Sequence, residues 1–226
     1  MTKPVFLSWS SGKDSAWTLY NLQQNPDYEV IALVTTVNEK YKRVAMHGVR
    51  EQLLQQQADA ANLPIHSLNI PSPCSNNDYE KVMRDFLNVM QKNNIEYMAF
   101  GDLYLEDIRQ YREKQLENTG ITPLFPLWKK PTRQLAHEMI DGGLEATITC
   151  VDPRKLSADF VGRRFDHNFI KSLPDGIDPC GENGEFHSCV HNGPMFKQAI
   201  PVTNGEVVTR DDFVFSDLIP STLATS

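Results

Sequence analysis

The sequence predicts an α/β fold in which a Rossmann-like, parallel five-stranded sheet precedes a smaller C-terminal α+β part. Over about the first two-thirds of the 226 residues, short apolar runs alternate with amphipathic segments, which is the rhythm of right-handed βαβ units. After about Asp152 this rhythm breaks, and the chain becomes rich in Gly, Pro and Asn. We therefore expect two units, residues 1–151 and residues 152–226.

Five short apolar runs are predicted to form the strands of the sheet. They are Val5–Leu7, Val30–Val34, Ile65–Ile70, Tyr97–Phe100 and Ala146–Val151. The second run is continuous and rich in β-branched residues, which is typical of a strand covered on both faces. We therefore expect helices on both faces of the sheet.

The segments between and after these strands show the spacing of helices with one apolar face. The predicted helices are Ser15–Gln23, Gly48–Asn62, a segment around Tyr79–Met90, Leu105–Glu117, Thr132–Asp141 and Arg154–Lys171. Asn77 and Glu80 predict a capping box at the start of the third helix. Asn204-Gly205, which lies between two apolar runs, predicts the turn of a β-hairpin.

The composition excludes several kinds of protein. The 29 Asp and Glu residues outnumber the 22 Lys and Arg residues, and the net charge of −7 argues against a nucleic-acid or membrane-surface partner. The sequence shows neither a signal peptide nor an apolar run long enough for a membrane span. The four cysteines are widely spaced and form no C-x-x-C pair, which favours a reducing compartment. We expect a cytoplasmic enzyme or binding protein.

A loop that suits phosphate follows the first predicted strand. It reads Ser8-Trp9-Ser10-Ser11-Gly12-Lys13-Asp14-Ser15 and leads directly into a helix, whose first N–H groups and dipole bind anions. The loop is not a Walker A motif, because Leu7 stands where the first glycine belongs and Asp14 follows Lys13. The residues expected to bind the nucleotide here are Ser8, Ser10, Ser11, Gly12, Lys13, Asp14 and Ser15, with Lys13 also catalytic. A serine-rich turn that only caps the helix is the alternative.

The segment Ser10–Ser15 resembles the S-G-G-x-D-S pyrophosphate loop of the N-type ATP pyrophosphatases, with Ser11 in place of the first glycine. A Cβ at that position has a cost if the backbone needs a positive φ. Further segments resemble the diphthine–ammonia ligase family, which belongs to the same superfamily. They are Gly101–Arg109, Arg112-Glu113, Pro123–Trp128, Asp178–His187 and Gly193–Phe196. The resemblance extends from Val5 to Phe196.

This resemblance implies a nucleotide α-hydrolase-like sheet and an ATP pyrophosphatase type of activity. Such a ligase activates a carboxylate with ATP and Mg²⁺, transfers ammonia to it, and releases AMP and pyrophosphate. The implied partners are ATP, ammonium and a carboxylate substrate, either protein-borne diphthine or a small molecule. Family members that act on diphthine carry an acidic residue where this chain has His187. The version with histidine is closer to bacterial relatives of unassigned or cobalamin-linked role.

Polar residues after the fourth predicted strand are expected at the same site. Ligands of open α/β sheets bind beyond the carboxyl ends of the strands, so Gly101 and Asp102 are predicted to lie beside the phosphate loop. Asp102 is the predicted catalytic residue and Mg²⁺ ligand, with a helix cap as its alternative. Arg109 and Arg112 are predicted to clamp phosphate or a substrate carboxylate. A solvated helix face is the alternative for both arginines.

The stretch from Gly181 to His187 places two carboxylates close together. Glu182 and Glu185 repel each other unless a cation lies between them. We therefore predict that both are catalytic, and that they bind ammonia, deprotonate ammonium or hold a second metal. A glycine turn with two solvated carboxylates is the alternative.

Several residues keep two interpretations. His47 opens the second predicted helix, and it either reaches the nucleotide or only caps that helix. Cys180, His187, Cys189 and His191 lie close together in the sequence. Their spacing matches no usual zinc pattern, so a half-buried strand is favoured over a zinc site.

Three classes of function compete. An AMP-forming amide ligase is favoured, because a non-catalytic nucleotide-binding module would not need the Gly181–His187 stretch. A tRNA-thiolating or lysidine-forming enzyme shares the loop, but the net charge of −7 and the lack of a C-x-x-C pair disfavour it. The oligomeric state is open, with a homodimer as one candidate.

Overall fold

The structure is a computed structural model that describes residues 2–40, 43–44 and 48–221. Its strands are β1 (Lys3–Ser8), β2 (Tyr28–Asn38), β3 (Arg43–Val44), β4 (Ile65–Ile70), β5 (Tyr97–Ala99), β6 (Thr122–Leu124), β7 (Glu145–Val151), β8 (Phe186–Asn192), β9 (Val202–Arg210) and β10 (Phe213–Pro220). Its helices are α1 (Lys13–Gln23), α2 (Glu51–Ala61), α3 (Asn76–Lys92), α4 (Glu106–Leu116), α5 (Thr132–Asp141) and α6 (His167–Ser172), with a 3₁₀ turn over Ala158–Phe160. No helix in these ranges is long and apolar enough to cross a membrane.

The first sheet is parallel, as predicted. Its parallel strands lie in the order β4-β2-β1-β5-β6, and the short β3 pairs antiparallel with the end of β2. From β1 the chain first builds the sheet towards β2 and β4, and it then crosses to β5 on the other side. The strand order therefore reverses between β1 and β5, the position at which open α/β sheets bind ligands.

The second sheet is antiparallel, in the order β8-β7-β10-β9. The prediction that Ala146–Val151 is the fifth parallel strand is wrong, because this segment is β7 and pairs antiparallel with β8 and β10. The fifth parallel strand is the three-residue β6, whose brevity and Pro123 hid it. The division of the chain after residue 151 stays a prediction, and the pairing of β7 favours a boundary before Glu145.

The prediction of one helix over Arg154–Lys171 is also wrong. Gly162 has a φ of +77° and stops any helix, and the chain from there runs extended along β7. Ile148 donates to the Arg163 carbonyl at 2.8 Å, and Phe165 donates to the Ala146 carbonyl at 2.8 Å. Only the short α6 follows, where the carboxylate of Asp166 accepts from the Phe169 N–H at 2.7 Å.

The Asn204-Gly205 pair is not a turn, because β9 runs through it without interruption. A Cβ on Gly205 would lie 2.9 Å from Ile219 Cδ1 on β10, so a glycine suits the close approach of these two strands. The hairpin turn is instead Asp211-Asp212, whose φ values are +49° and +65°. Aspartate tolerates this left-handed conformation better than most residues, and two such residues form the usual tight hairpin turn.

The cap of α3 lies two residues before the predicted one. The Ser75 hydroxyl accepts from the Asp78 N–H at 3.2 Å, and the Asp78 carboxylate accepts from the Ser75 N–H at 3.2 Å. This is a complete capping box, so the helix begins at Asn76 and Asn77 belongs to its first turn.

One apolar core connects the two sheets. It contains Leu7 from β1, Leu19 from α1, Ile148 from β7 and Phe186 from β8, all almost inaccessible to solvent. A second apolar cluster, which includes Phe86 of α3, covers the opposite face of the parallel sheet, as the apolar β2 run predicted. Because α1 lies between the sheets, β8 is held against the loop that precedes this helix.

We expect Ser75→Ala to lower the free energy of unfolding by about 1 kcal/mol, because it removes the hydroxyl of the capping box. Asn77→Ala is the matched control and should change this free energy by less than about 0.5 kcal/mol. Urea unfolding followed by circular dichroism measures both. A larger loss for Asn77→Ala than for Ser75→Ala would contradict the observed cap.

Candidate functional site

A cleft with two connected lobes lies at the carboxyl ends of β1 and β5. The polar lobe has a volume of about 250 Å³ and is lined by Lys13, Asp14, Gly181 and Ser188, among others. The apolar lobe has a volume of about 460 Å³ and is lined by residues such as Val34, Leu68, Tyr79, Met83 and Met98. Residues shared by both lobes are Ser8, Ser10, Phe100, Asp102, Arg112, Glu182 and His187.

The structure brings most of the sequence-predicted site residues to this cleft. Those that line it are Ser8, Ser10, Lys13, Asp14, Ser15, Gly101, Asp102, Arg112 and Glu182. Ser11, Gly12, Arg109 and Glu185 do not line either lobe. His47 lies outside the described residues, so its role stays a prediction.

The loop before α1 is held by its own hydroxyl groups. The Ser10 Oγ accepts from the Gly12 N–H at 3.3 Å and lies 3.2 Å from the Ser15 Oγ, which in turn donates to the Gly12 carbonyl at 3.0 Å. These bonds fix the entry into α1, and its first residues Lys13, Asp14 and Ser15 line the polar lobe. An anion in this lobe would therefore meet the positive end of the helix dipole.

Ser11 has the left-handed backbone that its counterpart glycine would favour. Its φ is +71°, and its buried side-chain oxygen has no hydrogen-bond partner among the described residues. The Ser11 carbonyl, in contrast, is well bonded, because it accepts from the Val190 N–H at 2.9 Å and from Gln57 Nε2 at 3.1 Å. The loop thus keeps a strained residue in order to point this carbonyl at β8.

Gln57 holds the site together from α2, although no sequence pattern points to it. It is fully buried on α2, where its Nε2 donates to the carbonyls of Ser11 and Val190 and its Oε1 accepts from Trp9 Nε1 at 2.9 Å. One amide therefore joins two residues of the loop, Trp9 and Ser11, to β8. A single glutamine within Gln55-Gln56-Gln57 carries no pattern that would reveal this role.

Lys13 is buried under the polar lobe. Its Nζ donates to both carboxylate oxygens of Asp14, at 3.0 and 2.8 Å, and to the Cys180 carbonyl. Burial disfavours the ammonium, but the carboxylates of Asp14 and Glu182 outweigh this effect and raise the pKa of Lys13. The ammonium form of this side chain is thus favoured in the cleft. Its backbone N–H donates to Ser188 Oγ on β8 at 3.2 Å.

Asp102 faces Lys13 and Asp14 from the end of β5. Burial raises the pKa of Asp102 above its ordinary value, and the nearby Arg112 guanidinium only partly opposes this. Arg112 Nε lies 3.6 Å from Asp102 Oδ2, and this buried oxygen has no hydrogen-bond partner within residues 2–40, 43–44 and 48–221. An unsatisfied carboxylate oxygen fits a Mg²⁺ ligand.

Gly101 allows the end of β5 to lie close to the start of α1. A Cβ at Gly101 would lie 3.0 Å from the Asp14 carbonyl carbon and from the Ser15 nitrogen. A side chain there would therefore push the end of β5 away from the start of α1.

Glu182 reaches the cleft from the opposite side. Its Oε1 accepts from the backbone N–H groups of Leu103 at 2.9 Å and Tyr104 at 3.4 Å. Burial, reinforced by the charge of Asp14, raises the pKa of Glu182 to about 7. A carboxylate with such a pKa exchanges protons near neutral pH, which suits a general base.

Glu185 has a different position from the one predicted. It is buried inside the loop before β8, where its Oε1 accepts from the Asp178 N–H and from Asn183 Nδ2, both at 3.1 Å. The two glutamates therefore do not line the cleft together. The pattern of the sequence could not separate them, because the turn at Gly184, with a φ of +76°, points them in different directions.

The Asp178 carboxylate holds the same loop, the one before β8, through hydrogen bonds. Its Oδ1 accepts from the Cys180 N–H at 2.7 Å, and its Oδ2 accepts from Thr132 Oγ1 at 2.8 Å. The resemblance includes the Asp-Pro-Cys-Gly segment but implies no role for this carboxylate. The loop so held presents the Cys180 carbonyl to Lys13.

His187, Cys189 and His191 lie on β8, as the half-buried strand predicted, and Cys180 lies in the loop before this strand. His187 lines both lobes, whereas Cys189 is fully buried and accepts from Gln57 Nε2 at 3.5 Å. His191 Nε2 lies 3.4 Å from Thr147 Oγ1. The cysteines of the described chain are free thiols.

Arg109 points away from the cleft. Its Nε donates to Glu113 Oε1 at 2.7 Å, and its guanidinium lies over the rings of Phe125 and Trp128. The two arginines that were predicted to act together therefore differ in position: of the two, only Arg112 lines the lobes. Direct contact of Arg109 with a ligand stays a prediction.

Fold and site together define an α/β protein with a serine-rich loop before a helix N-terminus, at the reversal point of a parallel sheet. The family model described as the diphthamide synthase N-terminal domain matches residues 3–123, and the model of the diphthamide synthase C-terminal domain matches residues 131–218. The chain belongs to the diphthamide synthase family, which confirms the resemblance.

Several proteins similar to this chain are diphthine–ammonia ligases. The diphthine–ammonia ligases of Bos taurus and Homo sapiens are each 25% identical over 232 residues, which covers 92% of this chain and 85% of each relative. The diphthine–ammonia ligase of Schizosaccharomyces pombe is 25% identical over 218 residues, which covers 88% of this chain and 36% of that relative.

We expect Ser11→Gly to raise the free energy of unfolding by about 1 kcal/mol, because it relieves the left-handed strain and leaves no polar group unbonded. Ser10→Gly is the control in the same loop, and it should lower this free energy by about 1 kcal/mol because a bonded hydroxyl is lost. Urea unfolding measures both variants. Equal losses in both would show that φ at Ser11 carries no strain.

Proposed function

We propose that the protein is an ATP-dependent carboxylate–ammonia ligase that forms AMP and pyrophosphate. One observation carries this proposal. The buried Lys13 and the N-terminus of α1 face Asp102 and Glu182 across a single polar lobe. Phosphate-binding groups and a carboxylate with a pKa of about 7 thus share one small space. The diphthine–ammonia ligases among the relatives support a ligase.

The two lobes suit the two parts of ATP. The apolar lobe, with Val34, Leu68 and Met98 in its wall, fits a nucleoside, and the adjoining polar lobe fits the phosphates. There, Ser8 and Ser10 offer hydroxyl donors, and the Lys13 ammonium compensates phosphate charge.

Asp102 is the residue that would hold Mg²⁺, because it lines the polar lobe with the phosphate loop. Its buried Oδ2 makes no hydrogen bond in the described chain and has Arg112 Nε 3.6 Å away. Bound there, the ion would neutralise charge on phosphate oxygens. Arg112 borders the same space and adds a second fixed cation.

The proposed reaction has two displacement steps. A carboxylate oxygen of the substrate attacks the α-phosphorus of ATP, the bond to the β-phosphate oxygen breaks, and pyrophosphate leaves. Ammonia then attacks the acyl carbon of the adenylate. The bond from this carbon to the bridging oxygen breaks, and AMP leaves with that oxygen, which came from the carboxylate. The protein contributes mainly positioning and charge compensation through Lys13 and Arg112.

Glu182 is the proposed proton acceptor for ammonium. Lys13 and Asp14 face it from α1, and Leu103 and Tyr104 donate to it from the loop after β5. Its raised pKa lets it take a proton near pH 7. Glu185 holds the loop that carries Glu182, so we propose a structural contribution to catalysis for Glu185, without contact with the substrates.

The acid is diphthine, as in the relatives, or another carboxylate. His187 lines both lobes. The resemblance implies an acidic residue here in family members that act on diphthine, so His187 favours testing small-molecule acids, including cobalamin-related ones. A cytoplasmic location, a homodimer and the lack of a nucleic-acid partner stay predictions.

The nucleotide products test the reaction type. With ATP, Mg²⁺, ammonium and an accepted acid, we expect AMP and pyrophosphate, separated by ion-exchange chromatography. Lys13→Met should lower kcat at least a hundredfold, because the buried cation beside the phosphates is lost. Lys92→Met on the exposed end of α3 is the control and should leave kcat unchanged. ADP and phosphate as products would overturn the proposal. ATP binding without turnover of any acid would favour a nucleotide-binding module instead.

The pH profile tests Glu182. Only the carboxylate form accepts a proton, so the rate should rise with pH through about 7, the pKa of Glu182. Glu182→Gln should lower the rate and remove this rise. Glu185→Gln is the control, because Glu185 does not line the cleft, and it should keep the rise whatever its effect on stability. If Glu182→Gln showed the same rise of the rate with pH, another group would cause this rise and the proposed role of Glu182 would be wrong.

A further inference from the structure

We propose that Arg109 is a positioning residue for the cleft, and that it acts on Arg112 through a stack of aromatic rings. This inference rests on the proposed function, in which Arg112 compensates phosphate or carboxylate charge. It gives a role to the Pro123–Trp128 segment, which the site itself does not use.

The Arg–aromatic stack consists of five side chains, in the order Arg112, Phe100, Phe125, Arg109 and Trp128. The Arg112 guanidinium carbon lies 5.1 Å from the centre of the Phe100 ring. The Phe100 and Phe125 rings stack with centroids 5.7 Å apart and an interplanar angle of 25°. The Arg109 guanidinium carbon lies 5.0 Å from the Phe125 ring and 4.8 Å from the Trp128 ring.

The backbone holds the two ends of the stack in register. Arg109 and Arg112 lie three residues apart on α4, so they share one helix face. Phe100 and Phe125 directly follow the neighbouring strands β5 and β6, and the Phe100 N–H donates to the Leu124 carbonyl at 2.9 Å. The face of α4 therefore supplies the two arginines, and the ends of β5 and β6 supply the two phenylalanine rings that lie between them.

Arg112 depends on this stack for its orientation. Its buried Nε makes no hydrogen bond within the described chain and lies 3.6 Å from Asp102 Oδ2, too far for one. The Phe100 face, together with the ion pair to Asp102, thus orients the guanidinium. Phe100 itself lines both lobes beside Arg112, so a shift of this ring moves the wall of the site.

Arg109 fixes the outer half of the stack. Its Nε is anchored by Glu113, and its guanidinium lies against both Phe125 and Trp128. Phe125 is thereby held between a fixed guanidinium on one side and Phe100 on the other. Without Arg109, Phe125 and Phe100 lose their outer support, and Arg112 gains rotational freedom at the site.

Binding of ATP with Mg²⁺, measured by isothermal titration calorimetry, tests this coupling in a double-mutant cycle. Arg112→Met should raise Kd about tenfold or more, because a charge-assisted contact is lost. Arg109→Met should raise Kd about threefold, because only the positioning of Arg112 is lost. The double variant should match Arg112→Met within about twofold, because Arg109 acts only through Arg112. Arg109→Lys, which keeps the charge but not the planar group, should behave like Arg109→Met.

Arg133→Met, at an exposed position of α5, is the matched control and should leave Kd unchanged. Unchanged ATP affinity in Arg109→Met, or additive losses in the double variant, would overturn the inference. Melting temperatures of all variants show whether a loss comes from unfolding.

A second measurement does not need the nucleotide. The side-chain Nε–H signal of Arg112, assigned by its loss in Arg112→Met, should shift or broaden in Arg109→Met because the Phe100 ring beside it moves. An unchanged signal would overturn the inference. If wild type fails to bind ATP while this signal responds, the proposed function fails and the coupling stands.

Discussion

The hydrogen bonds that the Ser11 carbonyl accepts hold the site together. Val190 of β8 and Gln57 of α2 both donate to this carbonyl, and each is more than 40 residues away along the chain. They tie the loop before α1 to the antiparallel sheet, and the Lys13 backbone adds a parallel bond to Ser188. Because β8 is fixed there, the loop before it brings the Cys180 carbonyl and Glu182 to face Lys13. The left-handed φ of Ser11 is the local cost of aiming this carbonyl at β8.

The parts of the fold that depend on neighbouring residues were predictable from the sequence. The apolar β1, the serine-rich loop and α1 follow one another directly, so their pattern alone placed Lys13 at a helix N-terminus. Asp102 was predictable for the same reason, because it follows the short apolar β5. These two segments meet because the strand order reverses between β1 and β5, a rule of the fold class.

The parts that depend on distant partners were not predictable. The apolar run of β7 fits a parallel or an antiparallel sheet equally well, and only its pairing with β8 and β10 decides. Likewise, Glu182 and Glu185 are both glutamates in a glycine-rich turn, yet one reaches the cleft and the other bonds to Asp178. Gln57 has no local signature, since its importance lies entirely in what it contacts across the core.

The single core shared by both sheets has a consequence for how the protein acquires its site. Lys13 and the Cys180 carbonyl that it bonds are separated by 167 positions, and the Leu103–Glu182 contact spans 79. Contacts of such long sequence separation form late, because the chain must first close the large loops between them. The cleft is therefore completed only when β8 docks, so a nascent chain that lacks its last third contains the Ser8–Ser15 loop without the residues that face Lys13.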